Sequence, residues 1–295
     1  MTDLFGVPLP ALMSQLMLGL VNGSFYALLS LGLAVIFGML NIINFAHGVL
    51  YMMGALFTWM MLEYLGVGYW WALILAPVCV GLIGILIERL LLQWLYQLDH
   101  LYGLLLTFGL ALIIEGFFRY LYGVAGQPYS IPDELAGAFN LGFMFLPKYR
   151  AWVIGASITA CIFTWYMIEK TRLGGYLRAA TENPQLTQAF GINVPLIVML
   201  TYGFGVGLAG LAGVLAAPAT QVSPLMGSNM IIAVFAVVVI GGMGSILGSI
   251  LTGLGLGLIE GLAKVVYPEA SATVVFLVMA VVLMFRPAGI FGKEK

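Results

Sequence analysis

No lysine or arginine occurs before Arg89, and most of the chain ahead of that residue consists of long apolar runs. The 295 residues are 62% hydrophobic and 8% charged, with a mean hydropathy of +1.09. A soluble core cannot bury that much apolar surface, whereas helices in a bilayer expose it to lipid. We therefore expect an all-α polytopic membrane protein with a single transmembrane domain, residues 1–295. A net charge of −1 argues against nucleic acid as a partner.

Nine apolar segments are candidates to cross the bilayer. The polar triplet Asn22-Gly23-Ser24 is expected to interrupt the first, and glycine-flanked polar stretches predict broken or re-entrant helices at 38–48 and 241–245. Nine crossings is the plain count, and eight results if one broken segment is re-entrant. The amino terminus lacks the basic region of a cleaved signal, so we expect the first segment to remain in the mature protein. The segments are 10–39, 45–62, 70–92, 101–121, 152–168, 195–217, 229–240, 246–266 and 272–285.

The stretch 169–194 is too polar to cross a membrane, and its basic residues predict a cytoplasmic loop. Counting crossings outward from this loop puts the carboxy terminus inside. The amino terminus is then outside if the chain crosses nine times and inside if it crosses eight times. The basic residues then expected inside are Lys170, Arg172, Arg178, Arg89, Arg286, Lys293 and Lys295. Those expected outside are Arg119, Lys148, Arg150 and Lys264.

The sequence of this loop predicts a short helix. Asn183 is a good N-cap, Pro184 suits the first helical position, and Gly191 is a natural stop. One face of the helix is apolar, with Leu186, Ala189 and Phe190, and the other is polar, with Gln185, Thr187 and Gln188. A helix of two turns is unstable alone in water, so we expect the membrane domain to hold one side and a partner protein the other. An ordinary solvated loop with a chance helix is the alternative.

Polar residues within the apolar segments define a hypothetical translocation path. Asn44, His47 and Tyr51 share one helix face, with Asn41 beside them, and broken helices expose backbone groups that could hold a zwitterion. The alternative is that these side chains cap helices and tie them together. The candidate path residues are Asn22, Asn41, Asn44, His47, Tyr51, Gly241, Gly242, Gly244 and Ser245.

The other charged and reactive residues indicate no enzyme. Three charged pairs are interpreted as neutralised ion pairs near the ends of their segments. With two histidines in the chain a metal site is improbable, and no Ser/His/Asp or Cys/His constellation occurs. No glycine-rich loop ends in Gly-Lys-Ser/Thr, so any nucleotide must be bound by another chain. The pairs are Glu115–Arg119, Glu260–Lys264 and Glu88–Arg89.

Three motifs carry a family resemblance. Arg178-Ala-Ala180, Glu182-Asn-Pro184 and Ala189-Phe-Gly-Ile-Asn193 resemble the coupling loop of ABC importer permeases, more narrowly those for branched-chain amino acids. Asn22-Gly-Ser-Phe-Tyr-Ala-Leu28 with Phe37-Gly-Met-Leu-Asn-Ile-Ile-Asn-Phe-Ala-His-Gly48 resembles the opening of the H-type subunit of that family. Arg286-Pro-Ala-Gly-Ile-Phe-Gly292 is similar to the usual ending.

The resemblance implies a permease subunit in a bacterial inner membrane that carries branched-chain or related amino acids. It also implies a second homologous permease, two ATPase subunits that bind ATP and Mg, and a soluble substrate-binding protein. Urea and short-chain amides are alternative substrates, because their importers share the family. An ion-coupled secondary transporter and a scaffolding membrane subunit are the alternatives from other classes. The residues expected to couple to an ATPase are Arg178, Glu182, Asn183, Leu186, Ala189, Phe190 and Gly191.

Overall fold

The structure is a computed structural model that describes residues 3–4, 7–40, 43–96, 98–142 and 144–292. Within these ranges the chain forms eleven α-helices and two small antiparallel hairpins. The helices are α1 (Leu9–Leu40), α2 (Ala46–Leu65), α3 (Tyr69–Leu90), α4 (His100–Tyr122), α5 (Lys148–Lys170), α6 (Arg172–Glu182), α7 (Pro184–Ala189), α8 (Val194–Ala216), α9 (Met226–Gly241), α10 (Ile246–Val266) and α11 (Ser271–Phe285). The strands are β1 (Asp3–Leu4), β2 (Val7–Pro8), β3 (Ala138–Asn140) and β4 (Phe145–Pro147).

The prediction of an all-α polytopic membrane protein is confirmed. In the part of the chain that the structure describes, eight helical segments are long and apolar enough to cross a membrane. The ninth predicted segment is α9, an apolar helix of 16 residues, or about 24 Å at 1.5 Å per residue. All nine predicted apolar segments are therefore helices, and α9 is the shortest of the nine after α11.

The expected interruption of the first segment at Asn22-Gly23-Ser24 is wrong, because α1 continues through it. The Ser24 hydroxyl donates to the Leu20 carbonyl at 2.8 Å, so this polar group is satisfied within the helix. A Cβ atom at Gly23 would lie 3.0 Å from the Leu254 carbonyl oxygen of α10. Small residues at this point serve close helix packing, which is a common device between helices in lipid.

The two broken segments are present where the sequence predicts them. Helix α1 ends at Leu40 and α2 begins at Ala46, while α9 ends at Gly241 and α10 begins at Ile246. The second break requires glycine, since Gly242 and Gly244 have φ of 98° and 84°, in the region that side chains rarely adopt. Helices α9 and α10 pack against each other across the second break.

The bundle has two ends, which we call the coupling end, containing α6 and α7, and the far end, containing the β3–β4 hairpin. Arg89, His100 and Asn193 line one cavity, so the α3–α4 connection lies at the coupling end with the start of α8. At the far end, the hydroxyls of Tyr69 and Tyr149 lie 3.0 Å apart, joining the starts of α3 and α5. The connections therefore alternate between the two ends, as expected of helices that cross a bilayer.

Helix α9 also joins the two ends. The backbone groups of Val222, just before α9, pair with those of Gln127 in the α4–α5 connection at the far end. At its other end the Gly241 carbonyl accepts from the Phe291 amide at 3.2 Å, in the carboxy-terminal segment. With α9 added to the eight segments that can cross a membrane, the described chain has nine apolar helical segments.

Candidate functional site

The predicted short helix is present as α7, with the capping that the sequence indicates. The Asn183 side-chain oxygen accepts from the Leu186 amide at 2.9 Å, and Pro184 occupies the first turn. Gly191 has φ of 82°, the left-handed conformation that ends a helix. The predicted helix is therefore present, and its docking to a partner protein stays a prediction.

Helix α7 is buried against the protein only at Thr187, while Gln185 and Gln188 on its polar face are exposed. Thr187 is only 5% exposed, and its hydroxyl donates to the Asn183 carbonyl at 2.8 Å. Leu186 and Phe190 are 55% and 79% exposed. The chain itself therefore leaves these two large apolar side chains uncovered.

Helix α6 was missed by the sequence analysis, although its pattern carries a signal. Leu173, Tyr176 and Leu177 follow the helical spacing i, i+3, i+4, which the charged residues of the loop obscured. A Cβ atom at Gly174 would overlap the Ile168 carbonyl oxygen of α5, so glycine is required for this sharp turn between α5 and α6. The helix links the end of α5 to the start of α7.

Arg178 ties α6 to the end of α5. Its guanidinium lies 3.6 Å from the Glu169 carboxylate and donates to the Ile168 carbonyl at 3.3 Å. The side chains of Arg178 and Glu169 are 55% and 43% exposed, so solvent weakens this ion pair. Glu182, at the end of α6, is exposed and belongs to none of the ion pairs among the described residues.

The first break lies inside the membrane-spanning bundle. The Thr107 hydroxyl donates to the Ile43 carbonyl at 3.2 Å and accepts from the Phe45 amide at the same distance. Thr107 is seven residues into α4, about 10 Å along the helix from His100 at 1.5 Å per residue. A side chain of α4 therefore satisfies the backbone groups that the break leaves without helical partners.

Two of the candidate path residues lie on this break and are enclosed by the chain itself. The Asn44 amide donates to the Tyr202 hydroxyl at 3.0 Å, and His47 Nε2 lies 3.0 Å from the Leu29 carbonyl oxygen, to which it donates. Asn44 and His47 are 1% and 0% exposed, and Tyr51 is 2% exposed. These contacts across α1, α2 and α8 favour the structural interpretation, in which polar side chains tie helices together.

The remaining candidate path residues are placed differently. Asn41 lies outside the described residues, and Asn22 is half-buried on α1. Gly241 and Gly242 are buried, whereas Gly244 and Ser245 line a cavity of about 640 Å³ at the coupling end, together with Arg178 and Glu169. Gly38 also lines this cavity, so the end of α1 and the second break meet there while Asn44 and His47 do not.

The predicted ion pairs are only partly present. Lys264 donates to Glu260 at 2.6 Å, and the Tyr26 hydroxyl donates to the other oxygen of the same carboxylate at 2.8 Å. Arg119 lies 3.7 Å from Glu115.

The predicted Glu88–Arg89 pair is wrong. No ion pair among the described residues includes Glu88, although Arg89 follows it in sequence and lines the same cavity. The Tyr96 hydroxyl instead donates to Glu88 at 2.7 Å. Burial and this hydrogen bond raise the pKa of Tyr96 above its ordinary value, so the hydroxyl stays a donor.

The comparisons with known proteins place the chain in a family. The family described as the permease component of branched-chain amino acid transport systems matches residues 15–284. This chain belongs to that family of ABC importer permeases and is an integral inner-membrane protein. No solved structure matches the chain significantly.

The relatives agree with this class. The high-affinity branched-chain amino acid transport system permease protein BraD of Pseudomonas aeruginosa is 30% identical, over 96% of each protein. The corresponding LivH of Escherichia coli K12 is 27% identical, also over 96% of each. The ribose import permease protein RbsC of Escherichia coli K12 is 32% identical over 43% of this chain and 41% of its own length. The resemblance to the H-type subunit is confirmed.

His47→Leu tests whether the residues at the first break are ties or path residues. If His47 is a tie, the Leu29 carbonyl loses the hydrogen bond from His47 but keeps its helical one, so we expect a loss of about 1 kcal/mol in stability. Uptake, expressed per assembled complex, should stay normal. Thermal unfolding and uptake are measured on the same preparation. Thr58→Val is the matched control, because the Thr58 hydroxyl donates only within α2, at 2.8 Å to Gly54. Full stability with uptake abolished would contradict the structural role.

Proposed function

We propose that this chain is the permease subunit through which an ATP-driven importer carries branched-chain amino acids into the cytoplasm. We propose further that it couples to separate ATPase subunits through α7. Family membership and the names of the relatives support the permease role and the substrate class. Urea and short-chain amides stay the alternative substrates, to be distinguished by direct uptake measurements.

The exposed apolar face of α7 carries the coupling proposal. Leu186 and Phe190 are largely exposed, whereas Thr187, between them in sequence on the same helix, is buried against the chain. An ATPase with an apolar cleft would cover these side chains and stabilise the complex by removing them from water. Gly191 ends the helix after Phe190, which keeps the docking element short and compact.

Helix α6 provides the route from α7 into the membrane. It packs on α5 and also contacts α1 and α8, and Arg178 and Thr181 line the cavity at the second break. A displacement of α7 by an ATPase would therefore move α6 against the ends of α1 and α10. Rocking of these helices as rigid bodies would open and close the path, since packed helices shift between discrete arrangements.

The path itself is proposed to lie against a second, homologous permease subunit. Asn44, His47 and Tyr51 are enclosed within this chain, so a substrate would pass them only after the helices move apart. Gly244 and Ser245 border a cavity and are already open to it. Two ATPase subunits that bind ATP and Mg and a soluble substrate-binding protein complete the proposed assembly.

The coupling end is proposed to face the cytoplasm, together with the carboxy-terminal segment. The positive-inside rule supports this orientation through Lys170, Arg172 and Arg178. In a background without Cys79 and Cys161, we expect Gln185→Cys to react with an impermeant thiol reagent only from the cytoplasmic side. Asp133→Cys, near the β3–β4 hairpin, should react only from outside. Reaction of both variants from one side would contradict the orientation.

An ion-coupled secondary transporter is the second candidate, and one observation favours it. Such a transporter needs a carboxylate within the membrane that no cation neutralises, and Glu88 is 4% exposed and belongs to none of the ion pairs in the described ranges. Membership of an ABC permease family weighs against this candidate. A dependence of uptake on ATPase subunits separates the two.

Phe190→Ala tests the docking of α7. The phenyl group is 79% exposed in this chain, so its loss should leave the membrane fold intact and weaken ATPase association at least tenfold. Co-purification of the ATPase subunits with the permease measures the effect. Phe145→Ala is the control, because that side chain is 71% exposed at the far end. If the Phe190 variant retains its ATPases at wild-type yield, α7 is not the docking element.

A further inference from the structure

Two carboxylates are buried in the described part of the chain, and their surroundings differ. Glu260 is 8% exposed and has both a cation, Lys264, and a hydroxyl donor, Tyr26. Glu88 is 4% exposed and accepts from the Tyr96 hydroxyl, and Arg89, which lines the same cavity, forms no ion pair with it among the described residues. Burying a carboxylate without a cation is costly, so the contrast makes Glu88 the unusual group.

The position of Glu88 on its helix increases this cost. It lies in the last turn of α3, two residues before the helix ends at Leu90. The carbonyl groups at the carboxy-terminal end of a helix place partial negative charge there, which stabilises cations and disfavours anions. A carboxylate at this place would therefore be stabilised by an additional positive charge in the cavity that it lines.

Glu88 lines a cavity that is large enough to admit such a group. The cavity has a volume of about 700 Å³ and lies at the coupling end. Arg89 and Asp99 line it on the side of α3 and α4, while Pro184 of α7 and Asn193, the N-cap of α8, line it on the side of the coupling segment. Apolar side chains, including Leu196, cover part of the remaining wall.

We propose that this cavity binds a primary ammonium group, with the Glu88 carboxylate as its counter-ion. The ammonium has three donors, and Glu88 offers carboxylate oxygens of which the structure engages one, through Tyr96. Arg89 is placed to meet the negative group of a zwitterion. A free amino acid in the cytoplasm and the headgroup of an aminophospholipid share this chemistry.

Occupancy of the cavity would affect the coupling segment. A ligand held between Glu88 on α3 and the residues that flank α7 would bridge two walls that have to separate if α7 moves. With a free amino acid as the ligand, accumulated product would slow transport. This consequence rests on the proposed function, whereas the binding itself does not.

The test measures binding to the complex with its ATPase subunits, without the substrate-binding protein. The complex is placed in nanodiscs of phosphatidylcholine and phosphatidylglycerol, with or without phosphatidylethanolamine. Binding of radiolabelled leucine is measured in the discs without phosphatidylethanolamine, and retention of that lipid is measured by native mass spectrometry in the others. We expect the wild type to bind one of the two probes and Glu88→Gln to bind it at least tenfold more weakly.

Two control variants separate ligand binding from a structural hydrogen bond. Tyr96→Phe keeps the carboxylate and should retain binding, while Glu115→Gln removes a carboxylate that already has a partner, Arg119, and should also retain it. Equal loss of binding in Glu88→Gln and Tyr96→Phe would overturn the proposal, because Glu88 would then serve only its hydrogen bond. The proposal would also be overturned if an assembled Glu88→Gln complex bound both probes as tightly as the wild type does. It would likewise be overturned if the wild type bound neither probe. A failure of ATP to drive uptake would instead overturn the proposed function and leave these binding results unaffected.

Discussion

The close approach of helix backbones is the contact on which the rest of this structure depends. Helices in lipid gain little from hydrophobic association, so their packing relies on van der Waals contact over small residues. A Cβ atom at Gly19 of α1 would lie 2.5 Å from the Gly257 carbonyl oxygen of α10, and one at Gly253 would lie 2.5 Å from the Ala27 amide nitrogen. Helix α1 also contacts α5, α8 and α9, so its contact with α10 positions the centre of the bundle.

The same low-polarity environment governs the two breaks, because hydrocarbon offers no hydrogen bonds to an interrupted helix. At the first break, Thr107 serves both the Ile43 carbonyl and the Phe45 amide. At the second, the Ile290 amide donates to the Ile240 carbonyl at 2.8 Å, so the carboxy-terminal segment closes the end of α9. Each break is therefore stabilised by hydrogen-bond partners from a distant part of the chain. A movement of those partners would change the backbone hydrogen bonds at that break.

The sequence predicts those features that depend on local chemistry. Apolar runs locate the crossing helices, and Asn183 and Gly191 locate the ends of α7 because caps act within a single turn. Contacts between distant segments are not predictable in this way: the polar triplet Asn22-Gly23-Ser24 predicts an interruption, whereas Gly23 packs closely against α10. The predicted ion pair at Glu88 is wrong for the same reason. The hydrogen-bond partner of Glu88 is Tyr96, and the turn that follows α3 determines where Tyr96 lies.

We propose that ATP hydrolysis by partner subunits moves the membrane helices through α7 and α6, so that the chain alone does not transport. Reconstitution into liposomes tests that claim most directly, with uptake of labelled leucine measured for the chain alone and for the assembly with its second permease, ATPases and binding protein. The account predicts uptake only by the complete assembly and only with ATP. Uptake by the chain alone, driven by an ion gradient, would contradict it.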